Sequence, residues 1–314
     1  MEVLQGTNSL PVDGLSSVTI GFFDGVHLGH QAVIRRTVEL AGEQALHPTV
    51  VTFDRHPLQT LSPGKVPPLL STLRKKAELI EGLGVGRLFV LEFTDEVSRW
   101  TPKTFVDRIL VRGLNARHVV VGANFTFGHR AAGNVGVLTE LGPDLGFAVE
   151  GVGLFTLDGR RVSSTSIREA LAEGELDWPE RVLGRRYSVE GTVVPGAGRG
   201  RDLGFPTANL RTPAGIQLPG RGVYAGRAGT GGRWWKAAIN VGINPTFGEE
   251  PLHVEAHLLD FDGALSDSVL TVEFWVRLRD EVRFDSSGAL ARQMGDDVQR
   301  TREVVGSRGD EGPL

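Results

Sequence analysis

The sequence predicts an α/β domain built on a parallel sheet, followed by a small antiparallel β-barrel closed by a C-terminal helix. Three observations predict this. Up to about residue 180, apolar strand-like runs alternate with amphipathic stretches, the pattern of a parallel sheet covered on both faces. From Tyr187 short alternating strands take over, punctuated by Gly and Pro, which is the pattern of a small barrel. The 314 residues, 40% hydrophobic and 23% charged, supply enough apolar material for two cores. The expected boundaries are 1–183 for the first domain, 184–305 for the second and 306–314 for a polar, disordered tail.

In order along the first half, the strands are Val18–Ile20, Thr49–Phe53, Arg87–Phe93, His118–Gly122 and Phe147–Val152. Between them, Gln31–Leu46, Thr72–Leu83, Pro102–Arg112 and Asn134–Leu141 carry apolar residues at helical spacing, and a last helix starts at Ile167. Gly174–Arg186 reads as a linker, with Trp178-Pro179 breaking the helix. The barrel strands are Tyr187–Val194, Gly222–Ala228, Trp234–Val241, Leu252–Leu259 and Val269–Leu278, and Ser287–Val304 is the closing helix.

Composition excludes several classes. A net charge of −4 gives no general nucleic-acid affinity. With no cysteine there is no disulfide framework and no thiolate nucleophile or metal ligand. Residues 1–14 lack the basic start and apolar core of a signal peptide, and no apolar run is long enough to span a bilayer. The expected location is the cytoplasm, with small-molecule partners, no nucleic acid and no membrane.

Gly21-Phe22-Phe23-Asp24-Gly25-Val26-His27-Leu28-Gly29-His30 joins the first strand to the first long helix. Such a glycine-rich turn aims backbone N–H groups and a helix N-terminus at one spot, which suits an anion. His27 and His30, three apart, can face the same bound group. The spacing is neither G-x-x-x-x-G-K-[ST] nor G-x-G-x-x-G. The alternative is a strand–helix turn with two solvated histidines.

In open α/β folds ligands bind beyond the carboxyl ends of the strands. Two more motifs sit there: Thr52-Phe53-Asp54-Arg55-His56-Pro57 and Gly122-Ala123-Asn124-Phe125-Thr126-Phe127-Gly128. The first reads equally as a polar loop in which Pro57 ends the strand. The second reads equally as a turn plugged by Phe125 and Phe127. In Val162-Ser163-Ser164-Thr165-Ser166-Ile167-Arg168, Ser166 and Glu169 fit a capping box, so hydroxyls and N–H groups at a helix start stand beside Arg168, a set suited to phosphate. An ordinary N-cap with a surface arginine is the alternative.

The barrel region has its own loop, Gly196-Ala197-Gly198-Arg199-Gly200-Arg201-Asp202-Leu203-Gly204, followed by Phe205-Pro206-Thr207-Ala208-Asn209. The loop can wrap N–H groups around phosphates, and Thr207 and Asn209 offer neutral oxygens that suit Mg²⁺ beside a phosphate. A flexible arginine-rich hairpin is the alternative. Further on, Glu255 shares a strand face with His253 and His257, opposite Val254, Ala256 and Leu258. A carboxylate so placed can act as a general base, or the face can simply be wet.

Gly21–His30 resembles the nucleotidylyltransferase superfamily. Together with Ser163–Arg168, Gly204–Asn209 and Val254–Phe261, it makes nearly the whole chain, from about Val18 to Val304, similar to the bifunctional bacterial riboflavin kinase/FAD synthetase family. A class I aminoacyl-tRNA synthetase shares the histidine signature but needs a lysine-rich loop that is absent here. The resemblance implies a Rossmann-like nucleotidylyltransferase domain followed by a riboflavin kinase barrel. It implies two reactions: phosphorylation of riboflavin by ATP to FMN in the barrel, and adenylylation of FMN by a second ATP to FAD, with release of pyrophosphate, in the first domain. It assigns Gly21, Phe23, Asp24, Gly25, His27, His30, Ser163, Ser164, Thr165 and Arg168 to ATP in the adenylylating domain, with His27 and His30 catalytic. Phe53, Pro57, Asn124 and Phe127 fall to its FMN side. In the kinase it assigns Gly198, Gly200, Arg201, Gly204, Pro206, Thr207 and Asn209 to ATP, Thr207 and Asn209 to Mg²⁺, and Glu255 to the riboflavin hydroxyl proton. The sequence departs from the family pattern at Arg55, where a proline is usual, at Asn124, where many members have Asp, and over Asp262–Ser268, which lacks the usual Leu-Tyr-Gly. A kinase with an impaired adenylylating half and a non-catalytic flavin-binding protein are the alternatives.

Overall fold

The structure, a computed structural model, describes residues 1–196, 198–243 and 252–307. It divides into two compact units, Met1–Pro67 with Ser71–Ser164, and Pro68–Leu70 with Thr165 onward.

In the first unit β1 (Glu2–Gln5), β2 (Ser16–Ile20), β3 (His47–Phe53), β4 (Arg87–Leu91), β5 (Ala116–Gly122) and β6 (Ala148–Val152) form one sheet. Its order is β1-β4-β3-β2-β5-β6, and every neighbouring pair is parallel. β2 and β4 are buried along their whole length, as strands covered on both faces must be. Alternation sends Val51, Phe89 and Leu91 to one core with Ile109, Leu110 and Leu138, and Val50, Leu88 and Val90 to another with Ile34 and Ile80. The covering helices include α1 (Leu28–Glu43), α2 (Leu73–Glu81) and α3 (Val135–Leu145). From β2 the chain steps outward through β3 and β4 on one side and resumes through β5 and β6 on the other. The carboxyl end of β2 is therefore the topological switch point, where such sheets bind ligands.

Four details correct the sequence reading. β1 was not expected; it is a four-residue edge strand with largely exposed side chains, too short for periodicity to register. Pro57 does not end β3, which stops at Phe53; it opens the short helix Pro57–Leu61, where its missing N–H costs nothing. The helix expected from Ile167 starts earlier, as α4 (Ser164–Ala172), so Ser166 is not its cap; the buried Ser166 hydroxyl accepts a hydrogen bond from the Trp178 indole at 3.4 Å. The expected linker holds α5 (Asp177–Leu183), with Pro179 tolerated in its first turn.

α5 buries Trp178, Val182 and Leu183. Trp178→Ala is therefore expected to destabilise the second unit by about 3–5 kcal/mol, the range for deleting a buried aromatic side chain. Denaturant unfolding followed by tryptophan fluorescence checks this; a loss under about 1 kcal/mol would return the segment to the status of a linker.

The second unit is a closed barrel of β7 (Tyr187–Val194), β8 (Ala208–Arg211), β9 (Gly222–Thr230), β10 (Arg233–Gly242), β11 (His253–Leu258) and β12 (Val269–Arg279). Its order is β7-β8-β11-β10-β9-β12, and every pairing is antiparallel. β8 is absent from the strands expected from the sequence, and it completes the barrel between β7 and β11. The closing helix, α6 (Ser287–Ser307), packs on β9, β10 and β12 and takes in the first two residues of the expected tail. The rest of that tail, 308–314, lies outside the described residues.

Candidate active sites

At the carboxyl end of β2 the backbone turns through positive φ at Phe23 (53°), Gly25 (75°) and Val26 (43°) and enters α1. The cap of α1 is His27, whose Nδ1 accepts the His30 backbone N–H at 3.3 Å. One turn of helix then sets the two imidazoles in a near-parallel stack, 3.6 Å between centroids and 16° between planes. Phe23 closes the stack edge-on to His30 at 5.3 Å. A Cβ at Gly21 would stand 2.8 Å from the Phe23 ring, so this packing requires glycine there.

Asp24 is buried and braces the turn. Its Oδ1 accepts the Ser71 N–H at 3.3 Å, and the Ser71 hydroxyl accepts the Gly25 N–H at 3.2 Å. The Ser164 hydroxyl donates to the Asp24 carbonyl at 3.0 Å, tying the serine motif to the histidine turn. Ser163 precedes Ser164, and both belong to the first unit; Thr165 and Arg168 belong to the second, where Arg168 Nε donates to the Pro68 carbonyl at 2.6 Å. Burial first, then His27 and the Lys76 ammonium, hold the His30 imidazole well below its ordinary range, so the ring is neutral at pH 7. Its Nδ1 is buried without a hydrogen bond.

The other two loops contribute unequally. His56 caps the helix that Pro57 opens and meets the Phe22 ring edge-on at 4.8 Å, which brings this loop to the histidine turn. Arg55 pairs with Asp54 at 2.7 Å, and Asp54 also accepts the Phe93 N–H at 2.8 Å. Arg55 thus serves the loop's own shape. Phe53 packs edge-on against Phe93 and beneath the first core. Asn124 is exposed in the turn after β5, but Phe127 is a core residue, 8% exposed and packed on Phe105 and Phe125. The hydrophobic-plug alternative therefore describes Phe127.

In the second unit, register builds the site. Asn209 on β8 stands directly opposite Glu255 on β11, and Glu255 stands opposite Asn240 on β10. The three side chains share the face opposite the buried Ala208, Leu210, Val254 and Ala256. Thr207 lies on the Asn209 side by the same alternation. The glycine loop lies against this face: a Cβ at Gly196 would fall 2.0 Å from the Asn209 amide nitrogen, and one at Gly200 2.4 Å from the Phe205 carbonyl oxygen. Gly198 and Gly204 hold positive φ on either side of the helical turn Arg199–Asp202, which carries an exposed Arg201 side chain. His257 Nδ1 lies 2.8 Å from the Pro206 carbonyl oxygen, and His253 Nε2 lies 3.3 Å from Glu255 Oε1.

Of these, Gly196, Gly198, Gly200, Thr207, Asn209, Asn240, His253, Glu255 and His257 line one end of a cavity of about 510 Å³, while Arg201, Gly204 and Pro206 are not among its lining residues. Its other end was missed in the sequence. There Arg279 clamps Asp297 through Nε and Nη2 at 3.0 and 2.7 Å, and Phe284, Leu290 and Met294 supply apolar wall. Leu290, Met294 and Asp297 follow one helical stripe, a signal the sequence contains, but nothing in it says the stripe faces a cavity. Lys76 was missed as well; it is buried with its ammonium over the Phe22 ring.

Among the described residues no three His, Asp or Glu side chains are grouped as a metal centre, and no helix is long and apolar enough to cross a membrane. The donors at Thr207 and Asn209 are neutral oxygens next to the Glu255 carboxylate, which fits a hard divalent ion held chiefly by phosphates.

Residues 11–166 match the family described as FAD synthetase, and residues 183–305 the family described as riboflavin kinase. A bifunctional riboflavin kinase/FMN adenylyltransferase of Pseudomonas fluorescens is 40% identical over 307 residues, covering 97% of this chain and 98% of the relative. The protein of the same description from Listeria monocytogenes is 38% identical over 287 residues, covering 91% of each. A crystal structure from Streptococcus pneumoniae, described as a macrolide-efflux protein, superposes with a TM-score of 0.87 at 28% identity, over 96% of this chain and 99% of that one.

Proposed function

The chain belongs to the bifunctional riboflavin kinase/FMN adenylyltransferase family, and we propose that its two sites divide the two reactions between the two units. It is an enzyme that phosphorylates riboflavin to FMN with ATP and adenylylates FMN with ATP to FAD. The functional boundary is taken at 183/184, and the enzyme is a cytoplasmic one.

In the kinase reaction the riboflavin 5′-hydroxyl oxygen bonds to the γ-phosphorus, the bond from that phosphorus to the bridging oxygen breaks, and ADP leaves. Glu255 takes the hydroxyl proton. Thr207 and Asn209 would hold Mg²⁺, which neutralises phosphate charge, while Gly198, Gly200, Arg201, Gly204 and Pro206 enclose the ATP phosphates. The observation that carries this reading is the direct cross-strand register of Asn209 and Glu255, both lining the cavity. It supports a general base at Glu255 beside phosphate ligands at Thr207 and Asn209, and positioning is most of what phosphoryl transfer asks of a protein.

In the other unit an FMN phosphate oxygen attacks the α-phosphorus of ATP, and pyrophosphate leaves. Gly21, Phe23, Asp24 and Gly25 shape the turn, and His27 and His30 donate to the phosphates. Ser163 and Ser164 would reach the same triphosphate; Thr165 and Arg168 enter the set through the family motif alone. Phe53, Pro57 and Asn124 would border the flavin, with Phe127 supporting them from the core.

A fragment of residues 165–307, which keeps the buried α5 with the barrel, is expected to convert riboflavin to FMN and to make no FAD. Chromatography of the products from riboflavin, Mg²⁺ and ATP checks this. FAD from a folded fragment would refute the division of labour.

A further inference from the structure

The sequence places Lys76 on the apolar stripe of α2, with Leu73, Ala77 and Ile80 at helical spacing. It is 3% exposed. Its ammonium lies 3.9 Å from the centre of the Phe22 ring and 3.5 Å from the Thr52 hydroxyl, at the carboxyl end of β3. Those are one ring face and one long hydrogen bond for a group with three donors. Among the described residues no carboxylate pairs with it; Asp24 acts on it only through space. Burying a charge without a partner is costly, and chains keep such groups where a ligand completes them.

The neighbours say which ligand. Phe22 begins the histidine turn, and its ring also meets His56 of the next loop, so Lys76 stands where both loops converge. His30 is neutral at pH 7, partly because Lys76 is there, so it can donate a hydrogen bond but supplies no charge. The reacting phosphates bring several negative charges. Lys76 is a cation beside this turn with no anion of its own.

We propose that Lys76 binds a phosphate oxygen of the reacting nucleotides in adenylyl transfer, completing the site made by the histidine turn. This rests on that turn being the adenylylation site. Burial, only partly offset by Asp24, pushes the Lys76 ammonium down to about 8. Adenylylation kcat/KM, which reports the free enzyme, should then fall as pH rises through about 8, because the neutral amine no longer binds the phosphate. The titratable groups around it are Asp24, His27, His30 and His56, with Lys75 and Glu78 paired on the exposed side of its own helix. The chain has no cysteine, and both tyrosines, Tyr187 and Tyr224, lie in the second unit. Apart from the Met1 amine, which is bound to Glu81, no other side chain type in the first unit ordinarily titrates there.

The test uses the full chain with Lys76→Met and Lys76→Arg, beside a His27→Ala/His30→Ala control. Lys76→Met is expected to lower adenylylation kcat/KM about 10²-fold or more, the scale for losing one preorganised phosphate donor. Riboflavin phosphorylation should stay within twofold. Its Tm should hold or rise, because the environment disfavours the charge it removes. Lys76→Arg should recover part of the rate and lose the fall near pH 8. A raised KM for ATP assigns the contact to the triphosphate, and a raised KM for FMN assigns it to the attacking phosphate. Adenylylation within threefold of wild type in Lys76→Met overturns the proposal while the control still shows the histidines at work. A lower Tm with an unmoved pH profile in Lys76→Arg would instead make Lys76 a packing residue and overturn it too. If the control itself makes FAD, the site reading fails and takes the proposal with it.

Discussion

The full chain with His27 and His30 both replaced by alanine is expected to make FMN from riboflavin at close to the wild-type rate and to make essentially no FAD. The two imidazoles stack at 3.6 Å on the first turn of α1, at the switch point of the parallel sheet, and in the unit that does not contain Glu255. Losing one preorganised donor to the transferring phosphates costs about 10²–10³-fold, and two that act together remove more. The double variant also removes the His27 cap of α1, which is worth about 1 kcal/mol, too little to unfold a domain. Separate measurement of FMN and FAD by chromatography checks the prediction. Equal loss of both products in a folded variant would show that the two reactions share one site.

The histidine turn was legible because its geometry is local. Glycines, a cap and the helix period lie within ten residues, and β2 and α1 follow directly from them. Asp24 was legible as part of the motif, but its partner Ser71 lies 47 positions away and is set by tertiary packing. The register that pairs Asn209 with Glu255 and Asn240 follows from barrel closure, which no single segment encodes. β8, four residues long, was missed for the same reason. Trp178-Pro179 misled because proline both breaks helices and opens them, and the burial of Trp178 decides between the two. Lys76 did leave a signal, a charge on an apolar stripe. Arg74 and Lys75 beside it, both paired with Glu78, carry the same charge, so charge alone does not single Lys76 out.

The fold also explains how departures from the family pattern are absorbed. Arg55 replaces a rigid proline, yet it pairs with Asp54, which in turn accepts the Phe93 N–H, so the loop keeps a defined path. His56 still caps the next helix and still meets Phe22. These contacts favour two working sites over a kinase with an impaired adenylylating half. A non-catalytic flavin binder would need neither a carboxylate in register with two amides nor a glycine loop packed against one of them.

Glu255→Gln is expected to cut conversion of riboflavin to FMN by about 10²–10⁴-fold, the usual worth of general-base assistance. Glutamine keeps the size and one acceptor oxygen, so the register with Asn209 and Asn240 and the packing of β11 should survive. It cannot take the hydroxyl proton. The substitution also removes the carboxylate charge 3.3 Å from the half-buried His253 Nε2, but the glutamine oxygen can still accept a hydrogen bond there, so stability should change little. Binding of Mg-ATP should persist, because Thr207, Asn209 and the glycine loop are untouched. Adenylylation of supplied FMN should also persist, because that reaction uses the other unit, and it serves as an internal check that the variant is folded. The decisive measurement is initial FMN formation at saturating riboflavin and Mg-ATP. A rate within threefold of wild type would make Glu255 a residue of a wet strand face, and His253 or His257, which share that face, would become the bases to test.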